Sequence, residues 1–329
     1  MPPRGASFVA VATSSPADLL DAARGGDRAA LGRLLSLIER GGDGAREVGR
    51  LTHGSGADAY TVGITGAPGG GKSTLTSALV QVVRCGGQGD RVAVLAIDPS
   101  SPFSGGAILG DRVRMGDHAL DDGVFIRSMA TRGHLGGLAV AAPEAVRVLT
   151  AAGFPLVVLE TVGVGQVEVD VVGQSDTTVV VVTPGWGDAV QANKAGLMEI
   201  ADVFVVNKAD RPGADEAVRD LERMLDMAAA DDDWRPPVVP TSAPTGEGVE
   251  DVWRAIGDHR AHLVAGGGLD DRRRRRAADE VTRLVAAELL SRARAATEGP
   301  RAAALADAVA RGDTDPWSAA EQLLDDLDK

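Results

Sequence analysis

Seven short apolar runs, each separated from the next by enough chain for a helix, constrain this sequence more than any other feature. They read TVGIT (61–65), RVAVLAID (91–98), GVFI (123–126), PLVVLET (155–161), TTVVVVT (177–183), DVFVVN (202–207) and PVVPT (237–241). A strand with one wet face alternates apolar and polar residues; these runs are continuous, so both their faces are buried. Strands of that kind joined by helical crossovers form a parallel sheet covered on both sides. Periodicity predicts helices at Ser73–Arg84, Leu138–Ala152, Ala189–Ala201, Asp215–Ala229 and Gly248–Val264. The predicted class is α/β.

The flanks read differently. Leu19, Leu20 and Ala23, then Ala30, Leu31, Leu34, Leu35 and Ile38, have helical spacing interrupted at Gly25-Gly26, which predicts two amphipathic helices before the sheet. After Gly266-Gly267-Gly268 the composition shifts to Arg, Asp, Ala and Glu, with Ala277, Val281, Leu284, Val285 and Leu289 at helical spacing from about Asp270. Trp317, Leu323, Leu324 and Leu327 make a further stripe that must pack on something, another subunit being one candidate. The expected division is an N-terminal helical extension (1–58), a central α/β domain (59–265) and a C-terminal helical extension (266–329).

A formal charge of −13 repels a polyanionic backbone, and the single cationic run, Arg272 to Arg276, is too local to reverse it. Aromatic residues are only 3% of the chain, too few for stacking on bases. Nucleic acid and anionic membrane are therefore not expected as partners. One cysteine, Cys85, precludes an intramolecular disulfide and fits a reducing compartment. With no apolar segment long enough to span a bilayer or act as a signal peptide, the expectation is a soluble cytoplasmic protein.

Gly66, Ala67, Pro68, Gly69, Gly70, Gly71, Lys72 and Ser73 spell G-x-x-x-x-G-K-S, followed by Thr74, between an apolar strand and a helix. That context turns a loose pattern into a phosphate loop. Its glycines let successive N–H groups and the helix N-terminus face phosphate oxygens, Lys72 reaches the β- and γ-oxygens, and the Ser73 hydroxyl ligates Mg²⁺. Glu160 leaves the end of a strand some ninety residues later and is followed by Thr-Val-Gly. A carboxylate there can hold the Mg²⁺ shell, and the Gly163 N–H can contact a γ-phosphate.

Asn207, Lys208, Ala209 and Asp210 follow the strand DVFVV. Guanine presents its N1–H and exocyclic amine side by side, so the Asp210 carboxylate can accept both, whereas adenine lacks that pair of donors. Lys208 would lie along the base and Asn207 would brace neighbouring loops. Thr241, Ser242 and Ala243 end the last strand, where the backbone N–H groups of Ser242 and Ala243 are candidates for guanine O6. Between these boxes, Asp98 exits a strand and Asp111 lies in a Gly-rich loop; both are candidate Mg²⁺-shell or water-positioning carboxylates. Arg127 and Arg132 are candidate phosphate or partner contacts.

Taken in order, GAPGGGKST, IDPSSPFSGGAILGDRVRM, FIRSMATRGHLGG, ETVGVGQVEVD, TPGWGDAVQANKAG and NKAD resemble the MeaB/ArgK family of P-loop GTPases over about residues 15–290. The resemblance implies a GTP/GDP-binding hydrolase with Mg²⁺ that serves an adenosylcobalamin-dependent acyl-CoA mutase, methylmalonyl-CoA mutase above all. The cobalamin resides only on that partner, and nucleotide state gates its loading and the ejection of damaged cofactor. By position, Asp98 and Asp111 belong to a first switch and Glu160 and Gly163 to a second. Gly185–Lys194 is similar to a third, with Lys194 reaching the nucleotide once the mutase is docked. A C-terminal element forming a homodimer is implied as well. Val164, not glutamine, directly follows Gly163, so no water-orienting side chain is legible and slow intrinsic hydrolysis is expected.

Competing readings are a metal-insertion GTPase, a GTP-dependent phosphotransferase and a nucleotide-gated scaffold that never hydrolyses. The first needs thiolate or imidazole clusters. The sequence offers one Cys and five scattered His, of which His259 and His262 read as a solvated helix face.

Overall fold

The computed structural model describes residues 14–55, 59–86, 91–98, 116–118, 120–130, 137–161, 173–185, 199–228 and 233–327. Seven strands, β1 (Tyr60–Gly66), β2 (Val92–Asp98), β3 (Val124–Ala130), β4 (Leu156–Thr161), β5 (Thr177–Val182), β6 (Val203–Asn207) and β7 (Val238–Thr241), form one sheet in the order β3-β2-β4-β1-β5-β6-β7. Every neighbouring pair is parallel. All seven coincide with the apolar runs of the sequence. Their carboxyl ends therefore share one edge, the edge at which α/β sheets bind ligands.

Alternation along the strands divides the core. Val62, Ile64, Val92, Val94, Val158, Val179 and Val181 face α4 (Lys72–Cys85) and, later in the chain, Val249–Ala265. Ala93, Leu95, Ile97, Val157 and Leu159 face the other way, onto α5 (Gly137–Ala151) and the N-terminal helices. Val180, Val182, Phe204 and Val206 pack on α6 (Ala214–Ala228). The helix foreseen at Ala189–Ala201 lies almost wholly outside the described residues.

Three N-terminal helices are present where the sequence predicts two: α1 (Pro16–Arg24), α2 (Arg28–Arg40) and α3 (Gly42–Leu51). The third escapes periodicity because its three glycines leave only Ala45 and Val48 as buried anchors. Ser15 starts α1 through a capping box with Asp18, and Asp27 caps α2 by accepting from the Ala29 and Ala30 N–H groups. Leu34 and Leu35 of α2 are fully buried in the same cluster as the β2 and β4 side chains, so this extension is one cover of the sheet.

The last crossover helix is α7 (Val249–Ala265), followed by α8 (Gly268–Thr297), α9 (Pro300–Arg311) and α10 (Pro316–Leu327). The Arg272–Arg276 run of α8 proves to be an internal clamp. Arg273 and Arg276 pair with Asp176, which is 1% exposed and directly precedes β5; Arg272 holds Asp202, directly before β6, at 2.7 and 2.9 Å. Burial pushes the Asp176 carboxyl up, but the Arg273 hydrogen bond and the two guanidinium charges outweigh it and hold the group below its ordinary range. Three of the run's five arginines are thus spent inside the protein. Arg147 of α5 and Arg46 of α3 add pairs to Glu280 and Glu288 on the same helix.

His259 corrects the sequence reading. It is fully buried, its Nδ1 2.8 Å from the Thr177 hydroxyl and its Nε2 3.3 Å from Asp202. Burial, opposed by the Asp202 charge, lowers its pKa to about 4 from 6.5. The fold keeps it neutral while the unfolded chain protonates near pH 6.5. Stability from this group is therefore complete above pH 6.5 and is lost as pH falls toward 4, by about 3 kcal/mol. Thermal melts from pH 7 to pH 4 should show that loss, and His259→Gln should flatten it.

Among the described residues no helix is long and apolar enough to cross a membrane. The tail stripe is partly satisfied: α10 lies on α8 and α9 and buries Ala319, while Trp317 and Leu324 stay exposed.

Candidate nucleotide site

β1 sits between β4 and β5, and its carboxyl end turns straight into the Gly-rich loop. Gly66 has φ of 138°, and a Cβ there would lie 2.0 Å from the Val181 carbonyl oxygen, so only glycine allows the chain to leave the sheet at this point. The loop tightens through Gly70 N–H donating to Ala67 O at 3.1 Å and ends at Gly71, the left-handed N-cap of α4. Gly71 has no side chain to cap the helix, leaving the N-terminus facing the loop interior. Lys72 is buried, and its ammonium donates to Gly66 O at 2.7 Å and Ala67 O at 3.1 Å.

Ser73, on the first turn of α4, donates to the Glu160 carboxylate. Glu160 is fully buried in β4, register-paired with Ile64 of β1 and Ala96 of β2. A hydroxyl touching a buried carboxylate is an all-oxygen donor set, which suits a hard cation such as Mg²⁺. Asp98 ends β2 on the same edge; its side chain lies outside the described residues, as do Asp111, Arg132, Gly163 and Lys194.

The second box folds directly onto the first. Asn207 closes β6, donates from Nδ2 to Gly70 O at 2.8 Å, and accepts at Oδ1 from Thr241 Oγ1 at 3.4 Å and Ala243 N–H at 3.2 Å. One side chain thus joins the phosphate loop to the loop after β7. No Cβ could replace a Gly71 hydrogen beneath it, since Asn207 Nδ2 lies 2.3 Å from that position. Lys208, the one described non-glycine residue with positive φ (63°), donates to Gly69 O at 2.7 Å. Asp210 is exposed at the tip of this loop.

The Ser242 N–H donates to Glu247 O at 3.0 Å and the Ala243 N–H to Asn207 Oδ1 at 3.2 Å, acceptors that a guanine O6 would have to displace. One expectation changes here. Arg127 lies within β3 and donates to Ser36 and Glu39 of α2 at 3.1 and 3.2 Å, which makes it an anchor for the N-terminal cover. Sequence reasoning also passes over Thr65 and Thr161, whose hydroxyls meet at 3.1 Å below the site. Their signal was available: each directly adjoins a residue already singled out, Gly66 and Glu160.

A strand-loop-helix phosphate cradle at the carboxyl edge of a parallel sheet, with an Asn-Lys-Ala-Asp loop hydrogen-bonded onto it, defines a P-loop GTPase. The chain belongs to the MeaB family, described as methylmalonyl Co-A mutase-associated GTPase, whose model matches residues 31–298. It is 46% identical over 313 residues to a putative GTPase of Pyrococcus abyssi, covering 94% of this chain and 96% of the relative. A mouse protein called methylmalonic aciduria type A homolog, mitochondrial, is 35% identical over 214 residues, 64% of this chain and 51% of its own length. Among solved structures, a LAO/AO transport system kinase superposes with a TM-score of 0.69 at 26% identity, covering 96% and 98% of the two chains.

Proposed function

We propose that this GTPase hydrolyses GTP slowly by itself, is accelerated by an adenosylcobalamin-dependent acyl-CoA mutase, and through its nucleotide state gates cofactor loading on that mutase, methylmalonyl-CoA mutase being the favoured client. The observation that carries the nucleotide reading is the Asn207 side chain on Gly70 O, which fixes the base-reading loop at one distance from the phosphate loop. The client reading draws on the family description and on the mouse relative.

In this reading Lys72 exchanges the Gly66 and Ala67 carbonyls for β- and γ-phosphate oxygens, while the loop N–H groups and the α4 N-terminus hold the remaining negative charge. Ser73 and Glu160 would hold Mg²⁺ or its water shell, with Asp98 and Asp111 as further candidates. The ion supplies neutralisation of phosphate charge. Asp210 accepts from guanine N1–H and the exocyclic amine, and Lys208 stays along the base while tied to Gly69. Gly163 senses the γ-phosphate, and Lys194 approaches the nucleotide only when the partner is docked. Two copies pair through the C-terminal helices, a reading supported by Val281, Val285 and Leu289 lying exposed along α8.

Phosphate release by the purified chain, with and without a stoichiometric cobalamin-dependent mutase, tests the partner reading. Turnover should rise by at least about tenfold, a floor well below the roughly 10³- to 10⁵-fold that a partner-supplied catalytic group can contribute. An unchanged rate with every such mutase tried would remove the partner claim and leave the nucleotide claim standing.

A further inference from the structure

Two threonines are buried at the roots of the loops that form the site. Thr65 directly precedes Gly66, and Thr161 directly follows Glu160. The register pairs Ile64 with Glu160, so Thr65 and Thr161 occupy the next step of the β1–β4 ladder, and strand alternation sends them to the sheet face opposite Glu160. Thr161 Oγ1 lies 3.1 Å from Thr65 Oγ1 and 3.4 Å from Ile64 O. Their exposures are 1% for Thr65 and 0% for Thr161.

Packing alone does not ask for hydroxyls here, because valine has nearly the same shape, carries no desolvation cost, and fills equivalent positions elsewhere in these strands. What the hydroxyls add is direction. A hydrogen bond between the last side chains of two strands fixes how far one strand end stands beyond the other. On one side of that bond begins the phosphate loop; on the other stands the carboxylate that Ser73 touches. We propose that Thr65 and Thr161 are a positioning pair, which holds the Glu160 carboxylate at a fixed offset from the phosphate loop so that the Ser73–Glu160 oxygen pair is set for Mg²⁺. This rests on the nucleotide reading above.

The test uses the full chain with Thr161→Val, Thr65→Val, the double variant and Thr161→Ser. Each valine variant should lower kcat for GTP about fivefold, the size of one hydrogen bond, while KM changes by less than about twofold. The Mg²⁺ concentration that half-saturates GDP binding should rise in the same variants. Thr161→Ser should restore both quantities, and the double variant should be no worse than the poorer single, because both changes delete the same Thr65–Thr161 bond and Thr161→Val already removes the contact to Ile64 O. Wild-type values in either valine variant, additive losses in the double, or losses that serine does not restore would overturn the proposal. The GDP titration reads the pair without turnover, so a wild type that binds GDP with Mg²⁺ but fails to hydrolyse GTP would count against the hydrolysis reading and not against the pair.

Discussion

Lys72→Ala is expected to lower GTP turnover by on the order of 10²- to 10³-fold, the loss typical when one preorganised donor to developing charge is removed. Its ammonium is buried and donates to the Gly66 and Ala67 carbonyls, within reach of whatever the loop encloses. Stability should change little. Removing a buried cation relieves its desolvation cost, which offsets the loss of charge-assisted hydrogen bonds of roughly 1.5–3 kcal/mol each. Phosphate release and a thermal melt on the same preparation separate the two effects. A variant that melts normally and hydrolyses at the wild-type rate would mean that the loop is a turn between strand and helix and nothing more.

Asp210→Asn is expected to weaken GTP binding by a few hundredfold. In the proposed reading the carboxylate accepts two hydrogen bonds from guanine, and exchanging one oxygen for an amide nitrogen would set donor against donor at one of them. Charge-assisted bonds of this kind contribute roughly 1.5–3 kcal/mol each, so a loss of about 3–4 kcal/mol follows. The substitution should leave the fold intact, because Asp210 is exposed and the bracing of the loop runs through Asn207 and Lys208. Calorimetric titration with GTP and GDP measures the effect directly.

The sheet was legible because a strand buried on both faces is written as an uninterrupted apolar run. The helices α4, α5, α6 and α7 followed from their apolar spacing, with α4 starting one residue earlier than periodicity suggests, at Lys72. The clamp at the opposite edge was not legible. Arg272, Arg273 and Arg276 reach acids that lie 70 to 100 residues away, and local sequence carries no trace of such pairs. His259 misled for the same reason, since Thr177 and Asp202 come from other elements. Within the candidate site, motif order foresaw that Asn207, Lys208 and the phosphate loop would share an edge. It did not foresee that Asn207 would consume the Ala243 N–H, because that depends on how far the loop after β7 folds back.

The clamp also bears on function. β5 and β6 are gripped at their amino ends by α8, and their carboxyl ends lead to the segment beginning at Gly185 and to the Asn207–Asp210 loop. The helix whose exposed apolar residues are proposed to meet a second copy is therefore anchored to two strands that lead to the candidate site. This gives the C-terminal extension a fixed orientation relative to the nucleotide edge.

The central claim is that Asp210 reads a guanine held on the Gly66–Ser73 loop, and titrating wild type and Asp210→Asn with both GTP and xanthosine triphosphate tests it most directly. Xanthine carries a carbonyl where guanine carries the exocyclic amine, so the asparagine amide can donate where the aspartate accepted. A reversal is expected: wild type binds GTP far more tightly than the xanthine nucleotide, and the variant prefers xanthine. Equal GTP affinity in the two proteins, with no gain for xanthine, would contradict it.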